Sequence, residues 1–258
     1  VTANQTSKSK VETIADYLRE RILEGTFPSG QPLPSEETLA KEYNCSRPTV
    51  QKAVAILRGE GLVVTEFARG SFVRSPFLRP SITRPRGVRR DASGSYADAD
   101  GLRWSGTDSD APATRTDAPV ELADLLGITP GEPMFTYQTV RASERSRVRE
   151  IHVTYVPFSV VADTPLEEST PPRVPDLFTA FEKLGHRLHW TEYVRARMPL
   201  PDEASALRLT PGIPLLYVLR VTLNQDNRPL ALEETRTPGD DQEYAYTYGP
   251  QGRRTAGD

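Results

Sequence analysis

The sequence predicts an α+β protein in two parts: a small N-terminal helical unit closed by a short hairpin, and a larger, mostly antiparallel sheet domain. Three observations lead there. The first 75 residues carry three apolar stripes at helical spacing followed by two short β-rich runs. From Pro119 onward, helix patterns alternate with six longer β-rich runs. Charge divides the same way: residues 1–90 hold 15 Lys and Arg against 9 Asp and Glu, a net +6, and residues 91–258 hold 17 against 26, a net −9. The first part suits a polyanion and the second does not, so the two are expected to meet different partners.

In order along the chain, Val11, Ile14, Ala15, Leu18 and Ile22 recur at i, i+3, i+4 and i+7, predicting a helix from Lys10 to Glu24 that Gly25 stops. After a Pro/Gly loop, Ser35 caps a second, short helix whose Glu36 and Glu37 suit the positive end of the helix dipole and whose Leu39, Ala40 and Tyr43 face inward. Ser46 caps a third, with Pro48 in its first turn, Val50, Ala53, Val54 and Leu57 on one face, and Gly59 and Gly61 at its end. Residues 62–66 and 70–74 read as two strands around a turn at Phe67 to Arg69.

Residues 76–116 are rich in Pro, Gly, Ser, Asp and Arg with almost no apolar period, which predicts a 41-residue linker. Its first part, Phe77 to Arg90, holds five arginines (Arg79, Arg84, Arg86, Arg89, Arg90) and no acid, so it reads either as solvated chain or as a phosphate-contacting extension. Beyond it, helices are predicted at 118–126, 175–184 and 201–209, and strands at 133–142, 148–157, 187–197, 214–223, 229–237 and 243–248. An internal echo runs through them: residues 126–143 and 207–224 share a helix end, a T-P-G turn and a strand, which predicts pseudo-twofold symmetry. The division is thus 1–75, a linker at 76–116, a second domain at 117–250 and a flexible tail at 251–258.

Composition narrows the class. A chain of 258 residues with 37% apolar and 26% charged residues has enough material for a real core. A single cysteine, Cys45, excludes an internal disulfide and points to a reducing compartment. No apolar run reaches the roughly 18 residues of a membrane helix. Lys8, Lys10, Glu12 and Asp16 stand where a signal peptide would be apolar, so the expectation is a cytoplasmic protein with no membrane partner.

The chemistry concentrates in Ser46 to Lys52, S-R-P-T-V-Q-K, at the start of a helix that follows a turn. Such a helix enters a major groove when its first exposed turn carries side chains that reach base edges. Arg47 can fork onto the O6 and N7 of guanine, Gln51 can pair with the N6 and N7 of adenine, and Ser46 and Thr49 lie where a helix N-terminus binds phosphate. Arg69 beside Gly70 in the hairpin can reach the minor groove or its phosphates. Ser35 and Lys52 complete the DNA-facing set.

Residues 33–73, LPSEETLAKEYNCSRPTVQKAVAILRGEGLVVTEFARGSFV, resemble the winged helix-turn-helix of GntR-type bacterial transcription regulators, and the likeness runs over 10–74. Two departures stand out: Gln51 where members of that family often have Arg, which implies altered base preference, and Ala68 where they have Gly at the wing tip. The helix, L-G-x-x-P-G-x-P and strand pattern at 121–137, the strand ending Y-V-P at 155–157 and the second copy at 203–224 resemble the UTRA-type effector domain of the HutC-like branch, whose fold is similar to chorismate lyase. That resemblance implies a repressor that binds a palindromic DNA operator as a homodimer. It also implies an effector site at Arg141, His152 and Glu234, with Arg236 on the same strand face as Glu234. His152 stands where an acid is more usual, and the arginine pair favours a small anionic effector. The competing reading of Arg141 and Glu234 is an inter-strand ion pair, and of His152 a half-buried structural histidine.

Other chemistry is thin. His186 and His189 lack further ligands, so no metal and no cofactor is expected. Cys45 lies in the helix-turn-helix turn with no resolving partner, and Tyr244, Tyr246 and Tyr248 alternate as packing residues. No phosphate loop or nucleophile pattern is present, and Lys183 is the one lysine after Lys52, against a Schiff-base domain. A non-enzymatic regulator is expected; the rival readings are a constitutive, plasmid-encoded repressor whose second domain only dimerises, and an enzyme on a chorismate lyase-like fold.

Overall fold

The structure, a computed structural model, describes residues 8–66, 69–74, 82–90, 94–99, 101–102, 104–106, 113–143, 148–167, 174 and 176–246. The chain forms two compact units, one of residues 1–80 with 198–214, the other of 81–197 with 215–258.

The first unit opens with α1 (Lys10–Leu23), α2 (Glu36–Glu42), α3 (Arg47–Gly59), β1 (Val63–Glu66) and β2 (Gly70–Val73). Ser9 and Glu12 form a capping box at α1, and the Ser35 hydroxyl accepts from the Thr38 N–H at α2. Ser46 precedes α3, but its hydroxyl meets that of Thr49 at 2.8 Å and accepts no backbone N–H. Ile14, Leu18, Leu39, Val50, Ala53 and Leu57 close the core between the three helices, and Val63 opposite Val73 ties the hairpin to it. These elements lie where the apolar periods and caps place them. The wing-tip residues Phe67 and Ala68 lie outside the described residues.

The second unit continues with β3 (Ile82–Pro85), β4 (Val88–Arg90), β5 (Tyr96–Asp98), β6 (Trp104–Gly106), β7 (Thr114–Asp117), α4 (Val120–Leu126), β8 (Pro133–Ser143), β9 (Arg149–Pro157), α5 (Phe158–Val161), α6 (Asp176–Lys183) and β10 (His189–Arg197). After β10 comes α7 (Pro201–Leu207), which packs in the first unit, and then β11 (Leu215–Leu223), β12 (Pro229–Pro238) and β13 (Gln242–Ala245). The main sheet runs β10, β11, β12, β9, β8, with β6 and β7 both paired to β8, and every pairing in it is antiparallel.

The linker expected at 76–116 is corrected by this arrangement, since its described parts hold β3 to β7. Each of these strands has three or four residues, too few for an alternating pattern to register, and their partners are distant: β3 pairs with β13, and β6 and β7 with β8. The reading of its arginines as a phosphate-contacting extension is corrected for three of the five. Arg84, Arg86 and Arg90 are ion-paired to Glu150, Glu192 and Glu182. Arg79 and the tail 251–258 lie outside the described residues.

The echo is real in three dimensions. The hairpins β8–β9 and β11–β12 meet through β9 and β12 at the sheet centre, about a local twofold. α4 and α7 both end in a left-handed residue, Gly127 at φ 62° and Arg208 at φ 55°. Both T-P-G turns put their glycine at nearly the same angle, Gly131 at φ 89° and Gly212 at φ 88°. Their surroundings differ. Space around Gly131 is open, whereas a Cβ on Gly212 would run into the carbonyl oxygen of Arg58 at the end of α3, inside the first unit.

One face of the sheet is apolar, with Leu219, Val221 and Leu232 packed on Leu122, Ala123 and Leu126 of α4. On the other, Leu177 and Phe181 of α6 cover Val156 and Ala231. That second face also carries Arg220, Glu233 and Glu150, all buried, while Glu234 is the buried charge of the first.

Candidate functional site

In the first unit, Arg47 is the first residue of α3 and its side chain is 70% exposed. Its Nε donates to Glu36 Oε2 at 2.7 Å, and Gln51, one turn further, donates its Nε2 to the same oxygen at 2.8 Å. The hydrogen bond from the Arg47 guanidinium holds the Glu36 carboxyl below its ordinary value against the opposing effect of burial. The two expected base-reading side chains therefore stand side by side, steered by one carboxylate on α2. On the wing, Arg69 pairs with Glu66 and lies over the Phe72 ring at 5.2 Å. Ser35, Arg47, Arg69 and Gly70 line a single open cleft of about 390 Å³. Ser46, Gln51 and Lys52 are exposed and Thr49 half-buried, beyond its lining on the first turns of α3. Glu36 was missed as a site residue. Its place in P-S-E reads as a helix-dipole partner, and only the packing of α2 on α3 reveals the contact.

The second unit contains a cavity of about 210 Å³ beneath the β4–β5 hairpin. Val88, Tyr96, Ala97 and Asp98 form its cover, Val174 and Phe178 one wall, and Arg141, His152, Arg220 and Glu233 its floor. Sheet register assembles the floor: Arg220 lies opposite Glu233, and Arg141 opposite Glu150. Arg220 donates through Nε and Nη2 to the two oxygens of Glu233, both at 2.7 Å, and through Nη1 to Asp98 at 2.5 Å. Arg141 holds Glu150 at 2.5 Å, while Arg84 takes the other oxygen of Glu150 at 2.8 Å. Burial opposes the charge on Asp98, yet Arg220, helped by Arg141 and Arg84, keeps its carboxyl far below the usual range. His152 sits 3.4 Å from the hydroxyls of Thr154 and Thr235 and 3.6 Å from Glu233. Burial first, then Arg141 and Arg220, push its pKa well down, so the imidazole is neutral at pH 7.

Of the expected effector residues, Arg141 and His152 line this cavity, whereas Glu234 and Arg236 face the opposite side of the sheet. There Glu234 accepts from the Tyr155 hydroxyl at 2.9 Å and pairs with Arg236. Successive strand residues point to opposite faces, so a one-residue difference along β12 exchanges Glu234 for Glu233. Arg220, Asp98 and Glu233 are the cavity residues that sequence reading missed. Arg220 sits in the second copy of the echo, at the place that matches Thr139 in the first, so the repeat itself gives no hint of it.

Among the described residues there is no cluster of His, Cys, Asp and Glu fit to hold a metal ion, and no helix is long and apolar enough to cross a membrane.

Comparison with known proteins agrees with both halves. Residues 10–73 match the family model described as bacterial regulatory proteins, gntR family, and residues 112–243, just over half the chain, match the UTRA domain. An HTH-type transcriptional regulator of Rhizobium meliloti is 29% identical over 88% of this chain and 90% of its own length. The HTH-type transcriptional regulator GgaR of Escherichia coli is 27% identical over 85% of this chain and 81% of its own. A crystal structure of a GntR-family transcriptional regulator, 24% identical, superposes with a TM-score of 0.65 over 94% of this chain and 98% of that one.

Proposed function

The chain belongs to the gntR family of bacterial regulatory proteins and carries a UTRA domain, and from that premise we propose that it is a cytoplasmic repressor that binds a palindromic operator as a homodimer and is released by a small molecule. The observation that carries the DNA half is the pairing of Arg47 and Gln51 on the exposed start of α3, beside a cleft shared with wing residue Arg69. In this reading Arg47 takes guanine and Gln51 adenine, Ser46 and Thr49 receive a phosphate at the helix N-terminus, and Ser35, Lys52, Arg69 and Gly70 contact the backbone on either side. One such helix reads only a few base pairs, and a twofold dimer doubles them.

The cavity supports the effector half. It brings Arg141 and His152 of the expected set together with Arg220, Asp98 and Glu233, and it replaces the Arg141–Arg236 pair on which an anionic effector rested.

Binding-site selection with the full chain tests the DNA half. Arg47→Ala should abolish preference at one base pair per half-site, a loss of about 1–3 kcal/mol, while leaving binding to random duplex largely in place. Equal losses on specific and random DNA would assign Arg47 to phosphate. A selected motif without twofold symmetry would remove the dimer.

A further inference from the structure

Four guanidinium groups and four carboxylates are buried or half-buried at or directly behind the cavity floor. Arg220 is shared between Glu233 and Asp98, Arg141 and Arg84 share Glu150, and Arg86 is held by Glu192. The set is charge-balanced, and each cation already has its carboxylate. An entering anion would find both lining guanidiniums, Arg141 and Arg220, already engaged and would lie against Asp98 and Glu233; a cation would lie against Arg141 and Arg220. A net charge brought into such a place loses its hydration without gaining a partner. What the floor does offer is hydrogen-bonding capacity: Asp98 uses one oxygen on Arg220, and Arg141 uses Nε and Nη2 on Glu150. Beside these stand the Phe178 ring and the aliphatic Val88 and Val174.

Resting on the effector reading above, we propose that the cavity selects an uncharged, hydroxyl-bearing molecule of about monosaccharide size. Hydroxyl groups donate to Asp98 and accept from Arg141 without disturbing either ion pair, and the carbon face of such a molecule meets the apolar wall. The volume, about 210 Å³, compares with roughly 30 Å³ for each molecule of liquid water.

Thermal unfolding of the full chain at constant ionic strength tests this with two probe sets. The first is inorganic phosphate on the wild type and on Asp98→Asn, which removes one carboxylate and leaves Arg220 in excess. The wild type should be unmoved, and Asp98→Asn should gain a saturable rise in Tm of roughly 5–10 °C once phosphate exceeds its Kd about a hundredfold. The second is a panel of neutral pentoses, hexoses and hexitols on the wild type, with glycine as a zwitterionic control. At least one panel member should raise Tm saturably, and the rise should vanish in the cavity-filling His152→Trp. Stabilisation of the wild type by phosphate or glycine, or no stabilisation by any panel member, overturns the proposal. If Asp98→Asn does not fold, the wild-type arms still decide. A sugar that binds the cavity without changing operator affinity would uphold this inference and refute the effector role.

Discussion

In the proposed complex, Glu36 limits how far Arg47 can engage a base. Its carboxylate competes with the guanine edge for the same guanidinium, so Glu36→Gln should raise affinity for the selected operator relative to random duplex by up to about fivefold, the worth of an exposed ion pair. Fluorescence anisotropy on the selected and random duplexes measures that ratio, and an unchanged ratio would mean that Arg47 is already free when DNA arrives. His152 makes a second prediction at this scale. Its folded pKa lies well below the ordinary 6.5, so above that value both folded and unfolded chains hold it neutral and its contribution is constant. As pH falls below 6.5 the unfolded chain takes a proton that the native cavity refuses, and stability is lost by at most about 1.4 kcal/mol per pH unit from this group. Urea midpoints from neutral pH down to about 5.5 should show that loss, and His152→Gln should flatten it. A slope identical in the variant would place the titration elsewhere.

Elements differ in how plainly the sequence announces them. Helices α1 to α3 carry caps and apolar stripes within ten or so residues, so their presence and the placement of Arg47 and Gln51 were readable directly. The long strands β8 to β12 were equally plain, but which face of β12 meets the cavity depends on register with β9 and β11, and no local signal separates Glu233 from Glu234. The short strands β3, β6 and β7 pair with longer strands elsewhere in the chain, and β4 and β5 form a three-residue hairpin too short for an alternating pattern to register, so the residues that cover the cavity read as linker. The two T-P-G turns, identical in sequence, show the same limit. Gly131→Ala should cost about 1 kcal/mol, from the positive φ alone. Gly212→Ala adds a collision with the Arg58 backbone and should cost clearly more. Chemical denaturation of both variants measures the difference, and equal costs would show that the Gly212 turn yields without loss.

For the molecule as a whole, the opposed charges of the two sequence halves survive folding in a particular way. The arginines Arg84, Arg86 and Arg90, which make the first 90 residues so basic, are spent on Glu150, Glu192 and Glu182 inside the second unit. The basic groups proposed to meet DNA, Arg47, Lys52 and Arg69, are fewer than the composition implies. A fragment ending at residue 80 also lacks residues 198–214, which belong to the first unit. It should therefore be less stable to urea than the same unit in the full chain, and it should bind operator more weakly. A fragment as stable as the intact unit would make the α7 segment dispensable.

That discontinuity has a consequence during synthesis. A ribosome making about 5–20 residues per second must continue from residue 80 to residue 214 before the first unit has all its parts, an interval of roughly 7–27 s. For that time α1, α2 and α3 have only their own caps and core to hold them, with the end of α3 at Arg58 and Gly61 still uncovered. The helices that would grip DNA are made first, and the turn that closes behind them arrives only after most of the sheet has emerged.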